Sequence, residues 1–174
     1  MLPNRYYRFT AETFNFHDFN RQIRLMHFAC SQEGETPPVD LDEASQTFIR
    51  SAEDVLVARR VGRSRALSIG FGAPDASLVA AAISEVARNI LEHAQFGEIT
   101  IRDVSVDGRR GLTIIARDGG PGIHDVESVV HYGRAGGAGL GVGLPGARLL
   151  VDEFSIESAI GAGTTVTMTK WMAS

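Results

Sequence analysis

Val79, Ile83, Val86 and Ile90 recur at spacings of four, three and four, the period of one face of an α-helix that packs on a core. Pro74 at the helix start and Asp75 in its first turn mark where the helix opens, and Gly97 is expected to end it. On the side away from the Ile83 stripe lie Glu85, Asn89 and Glu92 at i, i+4 and i+7, so an acid and an amide point the same way one turn apart. A polar helix face is by default a solvated one, and this spacing alone assigns it no chemistry. His93, near the helix end, has no second histidine or cysteine at metal-ligand spacing and reads as a helix-end residue.

The segments on either side of this helix have their own local signals. A first helix is expected to begin after Ser51, with Asp54 three positions on in the manner of a capping box, and to carry Val57, Ala58 and Val61 on one face before ending at Gly70-Phe71-Gly72. Downstream, Ile99, Ile101 and Val104, then Leu112, Ile114 and Ile115, give two strand-like runs around Asp107-Gly108-Arg109-Arg110-Gly111, which read as a hairpin. The second strand runs into Arg117-Asp118-Gly119-Gly120-Pro121-Gly122-Ile123, so a carboxylate stands where the strand ends and glycines let the main chain approach a ligand closely. From Gly133 to Gly146 there are seven of the chain's 19 glycines, a density expected of a mobile loop. Pro145 then opens a helix through Ala147, Leu149, Leu150 and Val151. Free amides and the dipole at such a helix start favour an anion. Gly141-Val142-Gly143-Leu144-Pro145-Gly146 matches the dinucleotide fingerprint as a string, but it follows more glycines instead of a strand, and no acidic residue falls in the Thr164 to Thr169 region where the fingerprint requires one. Phe154-Ser155-Ile156, a turn at Gly161-Ala162-Gly163 and the alternating run Thr164 to Thr169 close the chain as a second antiparallel hairpin.

Composition narrows the class. A chain of 174 residues, 44% of them hydrophobic and 22% charged, is the size of one domain with an ordinary core. A net charge of -4 argues against nonspecific nucleic-acid binding, which needs a basic face. Cys30 is the only cysteine, no apolar run approaches a membrane span, and Met1 to Arg5 lack the organisation of a secretory signal, so a cytoplasmic protein is expected. Lys170 is the only lysine, which excludes a P-loop and leaves arginine to meet any phosphate. Met1 to Glu43 differs in texture, with Tyr6, Tyr7, Phe9, Phe14, Phe16 and Phe19 early and a linker-like Ser31 to Pro38. It reads as a disordered extension, sequence upstream of the true start, or a docking arm.

In this order, an acid and amide on a helix, an acid at a strand end followed by glycines, and a glycine-rich segment leading into a helix resemble the GHKL ATPase/kinase superfamily, the Bergerat fold. Glu85 to Asn89 matches its N box, Asp118-Gly119-Gly120-Pro121-Gly122 its first glycine box, Gly139-Leu140-Gly141-Val142-Gly143-Leu144 its second, and Gly161-Ala162-Gly163-Thr164 its closing Gly-x-Gly-Thr. Within the superfamily, Ile83 to Ile90, Gly143-Leu144-Pro145-Gly146, Val151-Asp152-Glu153-Phe154 and Thr169-Lys170-Trp171 are similar to the RsbT-type switch serine/threonine kinases of bacterial stress signalling. The resemblance covers residues 44–174 and leaves 1–43 as an N-terminal extension.

The resemblance implies an α+β fold, a two-layer α/β sandwich with a mixed, mostly antiparallel sheet and helices on one face. It implies ATP and Mg²⁺, with Asn89 giving the metal one oxygen ligand and Glu85 accepting the proton of the attacking hydroxyl. Asp118 would accept a hydrogen bond from the adenine amine with support from Thr164, and Gly120, Gly122 and Ile123 would complete that side of the site. The amides of Gly139, Leu140, Gly141, Val142, Gly143 and Leu144 would hold the phosphates, with Arg88 or Arg134 as the cation. The implied activity is phosphorylation of a STAS-domain antagonist protein in a partner-switching pathway, with a phosphatase regulator or a sigma factor as further partners and neither nucleic acid nor membrane involved. The alternative is a nucleotide-dependent anti-sigma factor that binds a sigma factor directly.

Overall fold

The computed structural model of the protein describes residues 5–9 by their backbone and residues 44–126, 129 and 143–173. Ser51 caps the first long helix, α1 (Ala52–Ile69): its hydroxyl accepts the Asp54 amide, and the Asp54 carboxylate accepts the Ser51 amide at 3.0 Å. This is the capping box expected from the Ser51–Asp54 spacing.

The buried face of α1 is not the expected one. Val57 is 40% exposed and Val61 only half-buried, and the inward row is Val55, Ala58, Gly62 and Ala66. Close helix packing selects this row. A Cβ at position 62 would run into the Ile83 side chain on α2 (Ala73–His93), so the small side chains are what let the two helices approach. In α2 the expected stripe of Val79, Ile83, Val86 and Ile90 is buried throughout. Each such side chain contributes roughly 1.5–3 kcal/mol by leaving water. Ala76, Ala80, Ala82, Ser84 and Ala87 are buried as well, because α2 carries α1 on one flank and α3 (Gly143–Leu150) on the other. Gly97 does not end this helix. The chain leaves α2 at Ala94 and turns through Gln95, at φ 62°, and Gly97 opens the next strand.

The described strands form one six-stranded sheet in the order β1-β5-β6-β4-β3-β2, comprising β1 (Arg5–Phe9), β2 (Ser45–Ile49), β3 (Gly97–Val106), β4 (Arg109–Asp118), β5 (Glu153–Ala159) and β6 (Gly163–Trp171). Every one of its pairings is antiparallel, in keeping with the mostly antiparallel sheet expected. Both expected hairpins are present. The first closes tightly, Val106 pairing with Arg109 across Asp107 and Gly108, whose φ values of 50° and 78° suit a two-residue turn. Alternate residues of the central strands, among them Ile99, Ile101, Leu112, Ile114, Phe154, Ile156, Val166 and Met168, form a single core with α1, α2 and α3. The architecture is therefore the expected α+β sandwich.

The Gly-x-Gly-x-x-Gly string at 141–146 feeds no parallel unit, since α3 leads into β5 and β5 pairs antiparallel with both neighbours. No helix among the described residues is long and apolar enough to cross a membrane.

Candidate functional site

Helix α2 supplies one wall. Its pitch stacks Glu85 and Asn89 on one side, both half-buried and both directed at the start of α3. Glu85 Oε2 accepts the backbone N–H of Gly143 at 3.2 Å, and Oε1 accepts from Arg88 Nη1 one turn along the same helix. The carboxylate is thus tied to the N-terminus of α3, the position the helix dipole favours for a negative charge. Asn89 makes no side-chain hydrogen bond among the described residues, and its Nδ2 is fully buried. Its Oδ1 looks toward α3, since a Cβ built on Gly143 would stand 3.9 Å from it. A buried amide left unpaired costs about 1–3 kcal/mol, so this side chain has unmet bonding capacity inside the site.

The end of the sheet supplies the other wall. Asp118 closes β4 and lies directly across from Thr164 on β6, which in turn lies across from Ser158 on β5. Asp118 Oδ1 accepts the Gly120 amide at 2.8 Å, and Oδ2 takes no hydrogen bond among the described residues. Gly122 and Gly163 have φ of 74° and 79°, and a Cβ on either would collide with main chain, that of Ala159 and of Asp118 respectively. Only glycine passes there. Gly161 N donates to the Pro121 carbonyl at 2.8 Å and Ile123 N to Ser158 Oγ at 2.9 Å, so the turn after β4 and the turn after β5 are bound into one unit. That unit abuts the end of α2, where Gly120 approaches Ala94, and this brings the sheet wall to the helix that carries Asn89.

The structure therefore gathers Glu85, Asn89 and Gly143 at one contact, with Arg88 attached through Glu85, and Asp118, Gly120, Gly122, Ile123 and Thr164 at the sheet end. Leu144 is buried at the base of α3. Arg134, Gly139, Leu140, Gly141 and Val142 lie outside the described residues. Ser158 had not been singled out from the sequence. Its one local signal is that it continues the inward alternation of Phe154 and Ile156, where a hydroxyl needs a partner.

Taken chemically, the arrangement offers a neutral amide and a carboxylate beside a helix N-terminus, and a free carboxylate oxygen beside a hydroxyl on the far wall. The first suits a phosphate chain with a hard cation, since an amide oxygen is the kind of ligand Mg²⁺ accepts while keeping water and phosphate oxygens. The second suits a base that donates hydrogen bonds.

The motifs in Val151-Asp152-Glu153-Phe154 and Thr169-Lys170-Trp171 meet at the opposite end of the sheet. Lys170 Nζ and the Trp171 amide both donate to Asp152, at 3.0 and 2.6 Å, and Trp171 Nε1 donates to Glu153 at 2.8 Å. From Thr164 to Trp171 the strand covers about 24 Å, so this cluster holds the C-terminal strand and takes no part in the site.

Residues 48–170 match the histidine kinase-like ATPase domain. That span holds Glu85, Asn89, Asp118 and Thr164 in the walls just described, and the chain belongs to this family as an RsbT-like kinase of the GHKL superfamily. It is 43% identical over 132 residues to the serine/threonine-protein kinase RsbT of Bacillus subtilis (strain 168), across 76% of this chain and 99% of that protein. It is also 30% identical over 131 residues to the anti-sigma F factor of Caldanaerobacter subterraneus subsp. tengcongensis, across 72% of this chain and 90% of that protein. The anti-sigma F factor of Thermoanaerobacter sp. (strain X514) is 29% identical over 133 residues.

Proposed function

We propose that this kinase transfers the γ-phosphoryl group of ATP to a serine or threonine hydroxyl of a STAS-domain antagonist protein and changes partners as a result, within a cytoplasmic partner-switching pathway. The observation that carries the reading is the contact of Glu85 with the first amide of α3, beside the unpaired Asn89 amide, in a chain whose far wall presents Asp118. Asn89 would hold Mg²⁺ together with the phosphates, and the bound metal supplies neutralisation of charge on the transferred group. Amides at the start of α3 orient the phosphate chain, and Asp118 accepts from the adenine amine. Arg88, 47% exposed beside Glu85, is a cation within reach of the same space.

The acceptor hydroxyl oxygen forms a bond to the γ-phosphorus as the bond to the β–γ bridging oxygen breaks and ADP departs. Glu85 takes the hydroxyl proton, and its carboxylate keeps a lone pair on each oxygen for this beyond those engaged by Gly143 and Arg88. The test is transfer of labelled γ-phosphate to a purified STAS-domain partner. Glu85→Gln is expected to lower transfer about 10²–10⁴-fold while Mg·ATP still binds, and undiminished transfer would overturn the role given to Glu85.

The identity to anti-sigma F factors favours a second reading, a nucleotide-dependent anti-sigma factor. Capture of a sigma factor by the purified chain supports it, and capture of only STAS proteins and a phosphatase regulator supports the kinase switch.

A further inference from the structure

We infer that Ser158 is a positioning residue that sets the adenine preference of the site by dictating the direction of the Thr164 hydroxyl, an inference that rests on the ATP-binding reading above. Ser158 is 7% exposed and lies near the end of β5, on the same side of the strand as Phe154 and Ile156. Its hydroxyl has three neighbours. The Ile123 amide donates to it at 2.9 Å, it donates to the Gly163 carbonyl at 2.9 Å, and Thr164 Oγ1 stands 2.9 Å away.

A backbone N–H only donates and a carbonyl only accepts, while a hydroxyl has one hydrogen and two lone pairs. The hydrogen of Ser158 is committed to Gly163 and one lone pair to Ile123, so its third neighbour must be a donor. Thr164 therefore spends its single hydrogen on Ser158 and has lone pairs alone to present elsewhere. Directly across from it, Asp118 presents Oδ2, also an acceptor. The two side chains that face each other at this sheet end, Asp118 and Thr164, consequently both present acceptors.

An amine edge, as in adenine, meets such a surface with hydrogens. At the position of that amine hypoxanthine carries a keto oxygen, which sets lone pairs against lone pairs. A threonine hydroxyl free to rotate would turn its hydrogen toward a keto oxygen and blunt this distinction, and the saturated Ser158 hydroxyl prevents that rotation.

The experiment measures the dissociation constants of Mg·ATP and Mg·ITP for the full chain by titration calorimetry, in wild type, Ser158→Ala and Ser158→Thr. The preference for ATP over ITP is expected to fall about tenfold in Ser158→Ala and to return in Ser158→Thr, which restores the hydroxyl. A purely structural role, support of the turn through Ile123 and Gly163, would weaken both nucleotides alike and leave the ratio unchanged. Should Ser158→Ala not fold, Thr164→Val carries the test, because it removes the same acceptor while leaving the Ser158 bonds to Ile123 and Gly163 in place, and the ratio must again fall. A wild-type ratio in the tested variant, or a wild type without preference for ATP, overturns this inference and leaves ATP binding standing. A wild type that binds neither nucleotide overturns both.

Discussion

Asn89 carries a stability cost of its own. Its Nδ2 is buried without a partner among the described residues, and replacing such an amide by an apolar side chain of similar volume removes the penalty. Asn89→Leu is therefore expected to raise thermal stability, by up to about 1–3 kcal/mol, and to weaken Mg·ATP binding at least about tenfold. Thermal melts paired with nucleotide titration check this, and a variant both less stable and normal in binding would contradict it. Glu85 behaves differently, because its carboxylate stands beside the helix start that the phosphates would use. Removing that charge in Glu85→Gln should leave ATP affinity equal to or above wild type even as transfer collapses. The Glu85–Asn89 pair could be read from sequence since helical spacing alone puts the two on one side. Ser158 could not, because what gives it meaning is strand register, the pairing with Thr164 and the arrival of Ile123 from 35 residues away.

The elements were legible where their signals are local. The Val79–Ile90 stripe, the Ser51–Asp54 box and the two hairpins depend on residues within a few positions of one another, and all are present. The buried face of α1 departs from the one its valines mark, because valines outrank glycine and alanine in hydrophobicity while the fold needs small side chains for contact with Ile83. The start of α1 also yields a pH dependence. The Arg50 amide, with smaller help from the Ser51 hydroxyl and amide, holds the Asp54 carboxyl below its ordinary range against an opposing desolvation. A depressed carboxyl stabilises the fold fully above its unfolded pKa and stops doing so as pH falls through its lower folded value. Asp54→Ala should thus melt below wild type at neutral pH, with the gap narrowing in melts recorded as pH falls below the ordinary carboxyl range. Ser51→Ala should cost about 1 kcal/mol at neutral pH, the usual price of a lost N-cap.

At the scale of the whole molecule, the core and the site draw on the same elements. The described core runs through β2 to β6 and α1 to α3, and the two walls are the end of its central strands and the flank of its central helix. Strand β1 pairs its backbone with β5 from Arg5↔Ser158 to Phe9↔Phe154 at the edge of the sheet. An edge strand can leave a sheet without opening the core, and its departure turns its neighbour into a new unpaired edge. A chain beginning at residue 44 is accordingly expected to unfold cooperatively and to bind Mg·ATP within about twofold of the full chain, while associating more readily at high concentration through β5. Circular dichroism melts, nucleotide titration and light scattering measure the three. Ser158 sits on the inward side of β5, held by Ile123, Gly163 and Thr164, none of which belongs to β1, so the ATP preference should also survive the truncation. Loss of cooperative unfolding would instead make residues 1–43 part of the folding unit, and a lost ATP preference would mean that β1 fixes the β5 register on which Ser158 depends.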